Sequence, residues 1–120
     1  MCYNIDTVKG KETEMTKLSE TTIEAYEAKG ARRWTKGNYD RLYINAELLG
    51  LECEYYNTGS VRSATWCGEG ISNADARRLK ASKVFVDVAT GELSVRTEFG
   101  AYGMQSVEER AREFAAAVQA

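Results

Sequence analysis

Short runs in which apolar and polar residues alternate constrain this chain more than any other feature. The clearest example is residues 84–96, where valines occupy every second position from Val84 to Val88. The turn-forming residues Ala-Thr-Gly-Glu follow, and the alternation resumes at Leu93. Successive side chains of a strand point to opposite faces of a sheet. The pattern therefore predicts an antiparallel hairpin with one buried face.

Two earlier segments show the same alternation and predict two further hairpins. The predicted strands are residues 32–35 and 41–45 in the first hairpin, and residues 51–56 and 61–66 in the second. Gly37 and Asn38 lie between the first pair of strands, and Gly59 lies between the second pair. These residue types tolerate the backbone conformations of tight turns.

Helix signals occur before, between and after the hairpins. Ser19 is a predicted N-cap for a first helix that ends at Gly30. A helical turn is predicted at residues 45–50, and a short helix at residues 73–81. Ser106 and Glu109 have the spacing of a capping box at the start of the last helix. That helix carries apolar residues on one face: Val107, Ala111, Phe114, Ala115 and Val118.

These elements predict an α+β fold. Its antiparallel sheet has about six strands built from three hairpins, and it is joined by an N-terminal helix, a short middle helix and a C-terminal helix packed on the sheet. Residues 1–17 show no period and predict a loose N-terminal arm. Residues 18–120 predict a single α+β domain, a length that can bury a hydrophobic core.

The composition excludes several kinds of chemistry. The chain has no histidine, which removes the Ser-His, Cys-His and His-metal mechanisms. Its three cysteines lack the spacing of a metal site or a disulfide framework. No apolar run is long enough to span a membrane, and the first residues lack the pattern of a signal peptide. We therefore expect a cytoplasmic protein that is not an enzyme and holds no metal or cofactor.

Basic and aromatic side chains concentrate in the middle of the chain. Residues 31–83 hold nine basic and six acidic side chains, a net charge of +3, within a protein whose net charge is −2. Leu42 and Ile44 are the better core candidates of their strand, so Arg41 and Tyr43 are expected to point outward. The predicted binding residues are Arg33, Lys36, Arg41, Tyr43, Tyr56, Arg62, Trp66, Arg77 and Arg78.

This set of residues is typical of two kinds of binding surface. Sheets that bind single-stranded nucleic acid combine basic side chains with aromatic rings that stack on bases. Tyr, Trp and Arg also dominate the binding energy of protein interfaces. The third alternative is structural, because Trp34 and Trp66 are equally suited to the core. The acidic net charge argues against tight, sequence-independent duplex binding.

The chain also resembles a known group of proteins over residues 31–93. The resemblance is carried by the segments RRWTKGNYDRLYIN, LECEYYNTGSVRSA, GEGISNADARRL and KVFVDVATGEL. They resemble small phage and mobile-element proteins that include inhibitors of bacterial defence systems such as anti-CRISPRs. The resemblance implies binding or sequestration without catalysis, and it supplies no catalytic residues.

Three functions are consistent with these observations. The first hypothesis is a non-enzymatic phage-type protein that inhibits or adapts a host defence nucleoprotein, with a host protein or nucleoprotein complex as its partner. The second is a dimeric domain that binds single-stranded nucleic acid. The third is capture of a small nucleotide-like ligand between protomers, with Arg77 and Arg78 or Arg110 and Arg112 holding its phosphates. A homodimer through a sheet edge or a helix is left open.

Overall fold

A computed structural model describes residues 17–100 and 103–120 and confirms the α+β class. The predicted arm at residues 1–17 lies outside the described residues except for Lys17. The described elements are, in chain order, α1 (Glu20–Ala28), β1 (Arg32–Lys36), β2 (Tyr39–Tyr43), α2 (Ala46–Leu49), β3 (Leu51–Tyr55), β4 (Val61–Trp66), β5 (Glu69–Ile71), α3 (Asn73–Lys80), β6 (Lys83–Asp87), β7 (Leu93–Arg96) and α4 (Val107–Gln119).

The strands are antiparallel, as predicted, but they form two sheets where the sequence predicted a single sheet of about six strands. Four strands pair in the order β1-β2-β6-β7 and three in the order β3-β4-β5, which makes seven. All three predicted hairpins are present. The additional strand is β5, which follows a two-residue turn at Cys67 and Gly68. Both turn residues have positive φ, at 53° and 88°, as a type I′ turn requires.

Side-chain caps fix the helix starts, as the sequence predicts. The Ser19 side chain accepts a hydrogen bond from the Thr22 amide at 3.2 Å at the start of α1. Ser106 and Glu109 form a complete capping box on α4. On α3 the Asp75 amide donates to the Ser72 side chain at 3.1 Å.

The two sheets and the four helices contribute to one buried cluster. Leu42, Val84 and Val86 enter it from the four-stranded sheet, and Leu51 and Trp66 enter it from the three-stranded sheet. Helix α4 contacts β7, α1 and α2, so the predicted packing of the last helix on a sheet is confirmed. Within residues 17–100 and 103–120, none of the helices combines the length and apolar character needed to cross a membrane.

Trp66 is part of this core, so its prediction as a binding residue is wrong. The side chain is fully buried. Its indole Nε1 donates to the carbonyl oxygen of Gln105 at 2.7 Å, and its ring lies 5.8 Å from that of Phe99. The inward orientation follows from β4, where Trp66 and Ala64 share the face that covers the helices.

Candidate functional site

Strand register divides the side chains of the four-stranded sheet between two faces. Leu42 lies opposite Val86, and Val84 opposite Val95, on the face that covers the core. Residues directly opposite one another share a face, so the register also defines the other one. We call this second face the outer face. It consists of Arg32, Trp34, Lys36, Tyr39, Arg41, Tyr43, Lys83, Phe85, Asp87, Ser94 and Arg96.

Aromatic rings form a continuous row across three strands of the outer face. The ring centroids of Trp34 and Tyr43 lie 6.1 Å apart in an edge-to-face arrangement, and those of Tyr43 and Phe85 lie 5.5 Å apart. Phe85 is only 8% exposed, whereas Trp34 is 40% exposed and Tyr39 is 56% exposed. Such ring pairs stabilise one another beyond the area that they bury. The accessible rings of this face therefore lie on β1 and β2, and the Trp34 ring is held in place by its packing on Tyr43.

Arg41 lies beside this row, between the rings of Phe85 and Tyr39. Its guanidinium carbon lies 4.4 Å from the ring centroid of Phe85 and 4.6 Å from that of Tyr39. Its Nε atom is buried and has no hydrogen-bond partner among the described residues. A buried N–H without a partner is costly, and such groups in folded proteins call for an explanation, for example a functional role. The two rings therefore fix the position of a guanidinium whose Nε–H has no hydrogen-bond acceptor among the described residues.

The outer face is strongly basic, although the protein is acidic. Five basic side chains lie on it, Arg32, Lys36, Arg41, Lys83 and Arg96, against the single carboxylate of Asp87. These residues give the face a net charge of +4, and the chain as a whole carries −2. The Asp87 carboxylate accepts a hydrogen bond from the Ala89 amide at 2.9 Å.

Arg33 lies on the opposite side of β1, so the structure separates it from the predicted set. It pairs in register with Leu42 and forms a two-pronged ion pair with Asp40, at 3.0 Å from Nε and 2.8 Å from Nη2. This hydrogen bonding raises the pKa of Arg33 above its usual value and lowers the pKa of Asp40 below its own. Arg33 therefore has a structural partner and does not face the aromatic row.

The remaining predicted residues are divided between the outer face and other elements. Lys36, Arg41 and Tyr43 lie on the outer face. Tyr56 follows β3 in the second sheet and is 54% exposed. The other three lie on β4 and on α3: Arg62, Arg77 and Arg78. Arg62 and Arg78 form ion pairs with carboxylates of their own surroundings.

Six outer-face residues that contact or flank the row are not among the predicted binding residues: Arg32, Trp34, Tyr39, Lys83, Phe85 and Arg96. The signal for Phe85 and Lys83 was present in the sequence, because Phe85 lies between the buried Val84 and Val86 and Lys83 lies two residues before Phe85. The signal for Arg32 and Tyr39 depended on the register between β1 and β2. The structure supplies that register.

The described part of the chain offers little for metal binding or thiol chemistry. Across residues 17–100 and 103–120, no group of three or more histidine, cysteine or carboxylate side chains could hold a metal ion. Cys53 and Cys67 are free thiols on the second sheet and its turn. Burial raises the pKa of Cys67 above its usual value, which disfavours the reactive thiolate.

No protein-family model, curated protein or solved structure matches this chain. The resemblance to anti-defence proteins of phages therefore stays a prediction.

Proposed function

We propose that this protein binds single-stranded nucleic acid through the outer face, without catalysing a reaction. The observation that carries the proposal is the accessible ring surface of Trp34 and Tyr39 on the same face as five basic side chains. Bases stack on such rings, and basic side chains follow the phosphate backbone. Sequence-tolerant binding of a single strand requires both features together.

The dimensions and charge of the face favour a single strand over a duplex. Strands lie about 4.8 Å apart, so the row from β1 to β6 spans roughly 10 Å. That length accommodates two or three unpaired bases. Duplex DNA keeps its bases stacked in its interior, where rings of a flat sheet cannot reach them. The chain as a whole carries a net charge of −2, so the residues outside the outer face carry −6 and do not attract a long stretch of duplex.

Arg41 contributes a preorganised donor to this surface. Its guanidinium is held between the rings of Tyr39 and Phe85 before any ligand arrives. A planar guanidinium can donate parallel hydrogen bonds to phosphate oxygens or to a base edge. Because its conformation is already restricted, binding costs less side-chain entropy than it would for a free arginine.

A second candidate uses the same face to block a host defence nucleoprotein. The observation in its favour is the packing of the half-buried Arg41 against the buried Phe85, beside the exposed Trp34. Arg, Trp and Tyr are the residue types that dominate protein interfaces, and hot spots lie in well-packed surroundings. The positive charge of the face suits an acidic protein surface or the nucleic acid of the complex.

The first proposal is tested with fluorescein-labelled single-stranded homopolymers of each base, using fluorescence anisotropy at low salt. Tyr39→Ala removes one stacking ring and is expected to weaken binding about tenfold. Arg41→Glu is expected to abolish it. Tyr56→Ala and Arg62→Glu change the same residue types on the second sheet and are expected to leave affinity within about twofold. Failure of the wild-type protein to bind any of the strands would contradict the proposal.

The second candidate is tested by phage plating on bacteria that carry a CRISPR defence system and express this protein. Protection of the phage by the wild-type protein, with loss of protection in Arg41→Glu but not in Tyr56→Ala, supports the inhibitor. If the Arg41→Glu variant still protects the phage, the outer face is not the inhibitory surface. If the wild-type protein has no effect on plating, this defence system is not its target.

A further inference from the structure

A groove of about 480 Å³ lies at one end of the outer face, where Lys83 and Arg96 line it. Its walls come from the C-terminal end of α3, the start of β6 and the end of β7. The charged side chains that line it are Arg78, Lys83, Arg96 and Glu98. Three basic groups and one carboxylate give it a net charge of +2. The groove thus combines a concave shape with an excess of positive charge.

Lys83 and Arg96 face one another directly across β6 and β7. Like charges in this arrangement destabilise a sheet. Among residues 17–100 and 103–120, neither side chain forms an ion pair that would offset the repulsion. An anion held between the two side chains would relieve it.

Hydrogen bonds hold the helix wall of the groove against the strand wall. The Ser82 hydroxyl donates to the carbonyl oxygen of Arg78 at 3.1 Å. Because the Ser82 hydroxyl proton is used in that bond, the Ser82 oxygen accepts a hydrogen bond from the Thr97 hydroxyl at 2.7 Å. The Asp75 carboxylate accepts from Arg78 Nη1 at 2.7 Å and restricts that side chain. The two walls that carry the basic residues are thereby joined without a ligand, and Arg78 is already restricted, which lowers the entropic cost of binding one.

We propose that this groove binds a phosphate group of the strand that lies on the outer face. The inference rests on the proposed function, and it adds a defined phosphate position to it. Lys83 precedes Phe85 by two residues on the same face, a step of about 7 Å along β6. A strand stacked on the aromatic row therefore reaches the groove with a neighbouring phosphate. Arginine and lysine donors converging from three elements suit the several oxygens of a phosphate.

The bound phosphate is either an internal diester of the strand or a terminal monoester, and the experiment distinguishes the two. Wild-type protein and Lys83→Ala/Arg96→Ala are titrated with the same strand carrying a 5′-phosphate, a 3′-phosphate or neither. The matched control, Lys29→Ala/Arg62→Ala, removes two positive charges outside the groove. Lys83→Glu is a second variant, because a carboxylate facing Arg96 neutralises the groove while forming an ion pair that supports the fold.

We expect both groove variants to bind at least one of these strands about tenfold more weakly than wild type, and the control to stay within about twofold. The salt dependence of the affected binding should fall by about 0.7 in log–log slope, because the variants neutralise one phosphate fewer. Tighter wild-type binding of one phosphorylated end, abolished in the variants, assigns a terminal monoester. Equal weakening for all three strands assigns an internal diester.

Two negative results are distinguishable. Groove variants that bind every strand as tightly as wild type overturn the groove, and strand binding by the outer face then rests on Arg32, Lys36 and Arg41 with the aromatic rings. If the wild-type protein binds none of the strands at low salt, the outer-face proposal and the groove fall together.

Discussion

Replacement of Arg41 by methionine tests whether the centre of the outer face is kept for binding rather than for stability. Methionine retains an unbranched apolar stem over Phe85, but it removes the guanidinium and the buried Nε of Arg41. The structure shows both effects that this change has on stability: the cation–π interactions with Phe85 and Tyr39 disappear, and a buried N–H without a described partner is removed.

The two effects are of similar size and opposite sign. Each cation–π interaction contributes about 0.5–1 kcal/mol at a partly exposed site, so removing both costs about 1–2 kcal/mol. Removing a buried unpaired donor stabilises the folded state by about 1–3 kcal/mol. We therefore expect Arg41→Met to lie between about 1 kcal/mol less stable and about 2 kcal/mol more stable than wild type. Arg41→Ala also uncovers Phe85, so it should be about 1–2 kcal/mol less stable than Arg41→Met.

Urea unfolding followed by circular dichroism measures these differences, provided that the slope of the unfolding free energy with urea is unchanged between variants. The same proteins are titrated with a labelled single strand, for which Arg41→Met is expected to lose about tenfold in affinity. A destabilisation of more than about 2 kcal/mol in Arg41→Met would show that the guanidinium is there for stability. Unchanged strand affinity would refute its role in binding.

Further predictions concern the core, the turns and the ion pair beside the outer face. Trp66→Phe should cost about 2 kcal/mol in urea unfolding, since it removes the hydrogen bond from the indole to the Gln105 carbonyl oxygen and leaves a small void in the core. Gly50→Ala should cost more than Gly37→Ala, about 2–3 against about 1 kcal/mol, because both have positive φ but only at Gly50 would the added Cβ lie 3.0 Å from a cysteine sulfur. The lowered pKa of Asp40 means that its ion pair with Arg33 stabilises the fold above the unfolded pKa of about 4 and is lost as pH falls through the folded value. The stability difference between wild type and Asp40→Asn, measured by urea unfolding at pH 7 and pH 3, should therefore shrink at the lower pH; an unchanged difference would contradict the pairing.

Local elements could be predicted because their signals are local. The Ser106 and Glu109 capping box, the valine alternation from Val84 and the glycine stop after α1 each need only neighbouring residues. The assignment of strands to two sheets is different, because it depends on contacts between distant segments. Nothing in the second hairpin distinguishes pairing with β2 or β6 from pairing with the short β5. The glycines that flank Glu69 indicated a turn, and they also allowed a three-residue strand.

The candidate site was predictable only in part, for the same reason. Arg41 and Tyr43 were assigned to an outward face because their neighbours Leu42 and Ile44 are apolar. Arg33 was grouped with them by proximity in sequence, but the register places it opposite Leu42. Trp66 shows the limit of composition, since a large aromatic residue near basic residues suits the core and the surface equally.

The most direct test of the outer face is a titration of isotope-labelled protein with a short single-stranded oligonucleotide, followed by NMR chemical shifts of the backbone amides and the indole N–H groups. We predict that the shifts concentrate on β1, β2 and β6, with the Trp34 indole among the largest and the buried Trp66 indole unchanged. Shifts confined to the second sheet around Tyr56 and Arg62, or no shifts at saturating strand and low salt, would contradict the account.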